Sequence, residues 1–227
     1  MANNIHPTAI IDKRVELGNN NTIGPYSVIY GPTYIGDENE ISPHVTIGTP
    51  GQDTRNPRYD SSESVVKIGS RNNIREFTSI QKPCYKDITE IGSDVFLMQS
   101  VHIPHDALIF DKVVITPMCV LAGITRILEG ANVGMGASVN QYCVVGQYSI
   151  VATGAAAMKN IKPFSRYIPN KPLTVNTYAV KKFGFERFED EITAYILQNE
   201  APSSNTIVEI VDTFNQFHEE SGRDMYT

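Results

Sequence analysis

The chain has 227 residues, 41% of them hydrophobic, enough for one sizeable domain or two small ones. With 19 Lys and Arg against 25 Asp and Glu the net charge is −6, which excludes a general nucleic-acid surface, because phosphate binding draws on concentrated positive charge. No run approaches the roughly 18 apolar residues of a membrane span, the opening MANNIHPTAI lacks the basic-then-apolar pattern of a signal peptide, and three cysteines without a CxxC pair suggest neither a disulfide framework nor a zinc ribbon. A cytoplasmic protein without integral membrane association is expected.

From the first residues a period of six runs through the chain. Aliphatic residues recur at every sixth position from Ile5 to Ile47, from Ile68 to Ile80 and from Ile91 to Val151. Four places after each stands a second, mostly small residue, among them Ala9, Ser27, Val45, Val101, Ala107, Cys119, Ala131, Ala137, Cys143 and Ala155. Six fits neither the 3.6 of a helix nor plain strand alternation. It fits a mainly β chain wound as a parallel β-helix of hexapeptide repeats, with the aliphatic residue on the axis and the small one in a tight corner. Three hexads per coil give about seven coils.

Two breaks in phase mark loops that leave the coil, at 49–66 and 82–90. Such excursions from a rigid scaffold usually carry function. Cys119 and Cys143 read as inert packing residues, whereas Cys84 lies in the second loop, a position that allows exposure. The period stops near Ala157, so a coil over 1–160 and a helical region over 161–227 are expected. TVNTYAVKKFGF, ERFEDEITAYILQNE and SSNTIVEIVDTFNQFHEES read as three helices, the first two separated by Gly184.

A repeated coil alone does not fix a function; shorter motifs carry the chemistry. GQD stands at Gly51 to Asp53, NIRE at Asn73 to Glu76, VHIPHD at Val101 to Asp106, LAG at Leu121 to Gly123, NQYC at Asn140 to Cys143 and VKKFGF at Val180 to Phe185. In this order and spacing, over roughly residues 5 to 198, they resemble the UDP-N-acetylglucosamine O-acyltransferases of lipid A biosynthesis and their relatives that acylate nucleotide-linked amino sugars.

The resemblance implies a left-handed hand for the coil and a homotrimer with clefts between subunits. It implies His105 as the base that takes the proton of the attacking sugar group, Asp106 as the carboxylate that orients it, and Gly123 as the residue whose N–H faces the thioester oxygen. Asp53, Arg55, Gln81, His102, Gln141, Asn176 and Lys182 fall on the substrate side. The acyl donor would be acyl-CoA or an acyl carrier protein, with no bound cofactor and no metal. Elementary chemistry agrees: a histidine accepts a proton near neutral pH, a carboxylate fixes its tautomer, and a backbone N–H stabilises an oxyanion.

The sequence also departs from the family pattern, with Tyr178, Lys182 with Phe183, Ile124 and Gln81 at positions that touch the substrate. Retained chemistry with an altered pocket leads to the expectation of acyl transfer to the amine of a nucleotide-linked amino sugar. The alternative is 3-O-acylation of UDP-N-acetylglucosamine. Seven basic residues from Lys159 to Arg187 against the single acid Glu186 suit a polyanionic donor or nucleotide. A zinc-dependent carbonic anhydrase would need a third histidine near His102 and His105, and His44 lies about three coils away. An inert scaffold would leave HIPHD and the GQD loop without a purpose.

Overall fold

A computed structural model describes residues 2–60 and 62–227. Strands of two to four residues form three sheets of ten, eight and seven strands, parallel except at the last strand of the first, and along the coil each strand pairs with the one a full turn away. The resulting left-handed β-helix is a three-sided prism. Partners such as Asn4 and Thr22, or Phe96 and Val114, lie one coil apart. The offset is 18 residues where no loop intervenes, 33 across the first loop and 23 across the second. Inside, Ile23, Ile41, Ile74, Leu97, Ile115, Val133 and Val151 are buried in one column, with parallel columns from the other two sheets. Each buried Ile or Val contributes about 2 kcal/mol.

The corners explain the second residue pattern. Most turn through a residue in the left-handed region, and these residues stack: Tyr26, His44, Phe77, Ser100 and Met118 along one edge, Asp106, Ile124 and Tyr142 along another. A positive φ at the third turn position defines a type II turn. Along the remaining edge the side chains of Asn21, Asn39 and Asn72 are buried, and each accepts a backbone N–H from the coil above at 2.7 to 3.0 Å. Val95, Val101, Ala107, Cys119, Ala131 and Cys143 fill the corner slots and are fully buried.

The period fails at its first member: Ile5 is exposed, because no coil lies beneath it. Strand pairing also runs past residue 160. Ser165–Tyr167 pairs in parallel with Ile150–Val151, and Thr174–Val175 then pairs antiparallel with it. After this come α1 (Thr177–Lys182), a 3-10 turn at Glu186–Phe188, α2 (Glu189–Leu197) and α3 (Asn205–Ser221). Gly184, at φ 78°, makes the break between α1 and that turn. Phe183 and Phe185 pack on Tyr148 at ring separations of 4.9 and 4.8 Å, which docks the tail on the coil. Helix α3 lies along the third sheet, with Phe214 buried against Leu128 and Val144. Among the described residues no helix is long and apolar enough to cross a membrane.

Candidate active site

The VHIPHD segment leaves the second sheet after His102–Ile103 and turns at Pro104 to Ala107, with Asp106 at φ 62°. His105 therefore occupies the second position of a type II turn. One coil on, Gly123 takes the same position before Ile124 (φ 64°), and a further coil on, Gln141 takes it before Tyr142 (φ 65°). Hence the three candidates stack along one edge of a single chain. With Gln52, Asp53, Thr54 and Arg55 of the first loop they line a cleft of about 360 Å³.

Asp106 is fully buried, and its carboxylate accepts from His105 Nδ1 at 2.7 Å and from the backbone N–H groups of Cys84 (3.1 Å), Tyr85 (3.1 Å) and Lys86 (2.7 Å). Burial pushes this carboxyl up, but the bonds to His105 and to the three backbone donors together outweigh it and hold the group below the ordinary aspartate value. A carboxylate only accepts, so Nδ1 of His105 carries a proton, and in the neutral imidazole the lone pair is then on Nε2. Thr89 Oγ1 accepts the Asp106 N–H at 2.9 Å and Arg126 donates to the Asp106 carbonyl at 2.7 Å, so the turn is held from both sides.

Gly123 faces the imidazole. A Cβ there would lie 2.3 Å from Cε1 and 2.6 Å from Nε2 of His105, so only glycine permits the approach. Its N–H has no acceptor among the described residues. On the neighbouring edge the equivalent position is proline at Pro25, Pro43 and Pro117, residues with no N–H, as expected where the turn offers that group no partner, whereas Glu76 and Gln99 hold it in the two coils between. At Gly123 the unused donor sits beside a base with a free lone pair, which is the layout of a proton acceptor next to an oxyanion donor.

The other candidates divide. Asp53 is held by Arg55, at 2.7 Å from Nε and 3.0 Å from Nη2, and by the hydroxyl of Tyr85, which together keep its carboxyl well below the usual range. Gln81 ends the strand Ser79–Gln81, and its side-chain oxygen is buried without a partner. His102 stands on the outer face of its strand with Nδ1 2.8 Å from Ser79 Oγ, and burial lowers its pKa. It does not line the cleft. Asn176 caps α1 and donates to the Tyr148 carbonyl at 2.8 Å, so its side chain serves the docking of the tail. Lys182 is exposed, with Nζ over the ring of Phe183. Neither lies at the His105 cleft of the same chain.

Two sequence readings need correction. Cys84 is buried, since the second loop folds back so that its backbone can serve Asp106, and burial pushes its thiol up to about 11. Lys162, counted in the basic segment, is also buried, bonded to Asn199, and adds no surface charge. Sequence reasoning missed Tyr85, Thr89 and Arg126: Tyr85 is a loop residue outside the hexad pattern, Thr89 stands in the strand Ile88–Ile91 at the end of that loop, and Arg126 stands on the variable outward position of its hexad, where the period sets no residue type. Among the described residues no group of three or more His, Cys, Asp or Glu side chains could hold a metal ion.

Comparison with known proteins adds the following. Residues 14–49 match the family model described as bacterial transferase hexapeptide (six repeats). The acyl-(acyl-carrier-protein)–UDP-N-acetylglucosamine O-acyltransferase of Herminiimonas arsenicoxydans is 32% identical, over 80% of this chain and 76% of the relative. That of Paraburkholderia phymatum is 35% identical over the same shares. Among solved structures, a UDP-N-acetylglucosamine acyltransferase from Bacteroides fragilis superposes with a TM-score of 0.82 at 28% identity, covering 99% of this chain and 98% of that one. The Campylobacter jejuni protein, at 22% identity and a TM-score of 0.84 over 98% and 99%, shares the fold. The expected amine acceptor finds no support in these relatives, which are named for O-acyl transfer or, more broadly, as acyltransferases.

Proposed function

The chain belongs to the acyl-carrier-protein-dependent UDP-N-acetylglucosamine O-acyltransferase family and is an acyltransferase; from that premise we propose that it moves an acyl group from an acyl carrier protein thioester onto the 3-hydroxyl of UDP-N-acetylglucosamine. The observation that carries the reading is the His105–Asp106 pair with its free Nε2 set against the unused N–H of Gly123. The sugar hydroxyl attacks the thioester carbonyl while its proton passes to Nε2. The imidazolium so formed keeps its Nδ1 proton on Asp106. The carbonyl oxygen, now an oxyanion, takes the N–H of Gly123. Collapse expels the thiolate, which leaves with the proton held on Nε2, and the base is restored. No covalent enzyme intermediate is required.

The active form under this reading is a homotrimer. The outward column of the second sheet, from Ile10 through Val28, Thr46, Ser79, His102, Val120 and Ser138 to Ala156, contains no acidic residue, Lys or Arg. The edge beside it exposes Tyr26 (60%), Phe77 (58%) and Met118 (63%). An uncharged face flanked by exposed apolar side chains suits burial against further copies of the chain. Lys182, exposed and away from its own cleft, then serves the cleft of a neighbour. Lys171, Lys181, Lys182 and Arg187 remain exposed for an acidic donor.

The test is thiol release from hydroxyacyl carrier proteins and acyl-CoA across a panel of UDP- and dTDP-sugars. UDP-N-acetylglucosamine with a hydroxyacyl carrier protein is expected to be the best pair by about tenfold or more, roughly 1.4 kcal/mol of transition-state discrimination. A nucleotide-linked amino sugar turned over faster at its amine overturns the reading.

A further inference from the structure

Tyr85 belongs to the second loop and touches Asp106, His105 and Asp53 at the cleft. Its backbone N–H donates to the Asp106 carboxylate at 3.1 Å, its ring lies 5.7 Å from the imidazole of His105 at 44°, and its hydroxyl donates to Asp53 Oδ2 in the first loop. The two loops also meet through the Arg58–Asp87 ion pair at 2.6 Å and the bond from the Lys82 N–H to the Thr49 carbonyl at 2.8 Å, but among these ties the Tyr85 side chain is the one that reaches Asp53 beside the cleft.

On Asp53 the hydrogen-bond sites are fully used. Oδ1 accepts the backbone N–H of Arg55 at 3.2 Å and its Nε at 2.7 Å, while Oδ2 accepts Arg55 Nη2 at 3.0 Å and the hydroxyl of Tyr85. The Arg55 side chain is 89% exposed, so a pair made with Arg55 alone would be screened by water and free to swing. The Tyr85 bond comes from a loop anchored on buried Asp106. Gly51 adds a second tie: a Cβ there would lie 2.1 Å from Cys84 Sγ and 3.1 Å from the His105 Cβ, so the first loop rests directly on the residue before Tyr85.

We propose that Tyr85 is a positioning residue, which fixes Asp53 and the first loop over His105 so that the acceptor meets a preformed wall. It acts through Asp53 and does not touch the reacting atoms. The proposal rests on the acyltransferase reading only for the identity of the acceptor. Preorganising a loop lowers the ordering cost of binding, so its loss falls on acceptor affinity rather than on the proton transfer.

Two measurements on the full chain test this. Without substrate, amide hydrogen exchange in the first loop should quicken about tenfold in Tyr85→Phe and in Asp53→Asn, and no further in the double variant, with the coil amides unchanged. Unchanged exchange in Tyr85→Phe overturns the link, whatever the substrate proves to be. With the best acceptor of the panel, Tyr85→Phe should raise its KM about fivefold with kcat within about twofold, and should add less than about twofold in the Asp53→Asn background. A fall in kcat at constant KM, or an equal effect in both backgrounds, overturns the assignment of Tyr85 to acceptor positioning.

Discussion

Gly123→Ala is the smallest change that should disable the site. The backbone φ at Gly123 is not in the left-handed region, so alanine is acceptable to the chain itself. The conflict is with His105. The added carbon would stand 2.3 Å from Cε1, 2.6 Å from Nε2 and 3.0 Å from Nδ1 of the imidazole, against an ordinary contact of about 3.5 Å. The ring must retreat by about 1 Å, and the 2.7 Å bond from Nδ1 to Asp106 lengthens or breaks with it. A displacement of this size at a positioned base costs about 10² in rate. Stability should fall less, by about 1 to 2 kcal/mol, because Asp106 keeps its three backbone donors. Thiol-release kinetics with thermal melting would show both. Because the effect runs through the imidazole, Gly123→Ala should cost little more in a His105→Ala background. Turnover within about threefold of the parent, or a full further loss in that background, would refute the reasoning.

Other perturbations follow from the same contacts. The Asp106 carboxyl lies below its ordinary value, so its contribution to stability is present above about pH 4 and is lost as the pH falls toward the lowered value; Asp106→Asn should flatten the acid limb of a melting-temperature profile, and an unchanged limb would contradict this. Asn39→Ala removes a bond to the N–H of Asn72 and one to the Gly69 carbonyl inside the coil, and denaturant unfolding should show a loss of about 2 to 4 kcal/mol. Under the proposed homotrimer, light scattering should give the parent about three times the 25.1 kDa chain mass, and Val120→Asp, which places a charge on the uncharged face, should reduce it toward a single chain.

The coil was legible because each hexad is decided locally, by one residue on the axis and one in the corner, and the same solution repeats. Ile5 shows the limit of that rule, for an end coil has a neighbour on one side only. His105, Gly123 and Gln141 were each named from motifs, and their 18-residue spacing equals one coil, which is why the structure stacks them along one edge. The loops were different. Whether Cys84 is buried, and whether Tyr85 reaches Asp53, depends on contacts between segments more than 20 residues apart, and no short-range pattern encodes them. Asn176 was placed by resemblance alone, and its use in holding Tyr148 emerged only from the packing of the tail.

The central claim is that His105, held by Asp106 with Nε2 free, is the base of the transfer. Steady-state turnover of His105→Ala, measured beside its melting temperature and assembly state, tests it most directly. The account predicts a loss of about 10² or more in turnover with fold and assembly intact. Turnover within about threefold of the parent in that folded variant would contradict it and leave proton removal to solvent or to the departing thiolate.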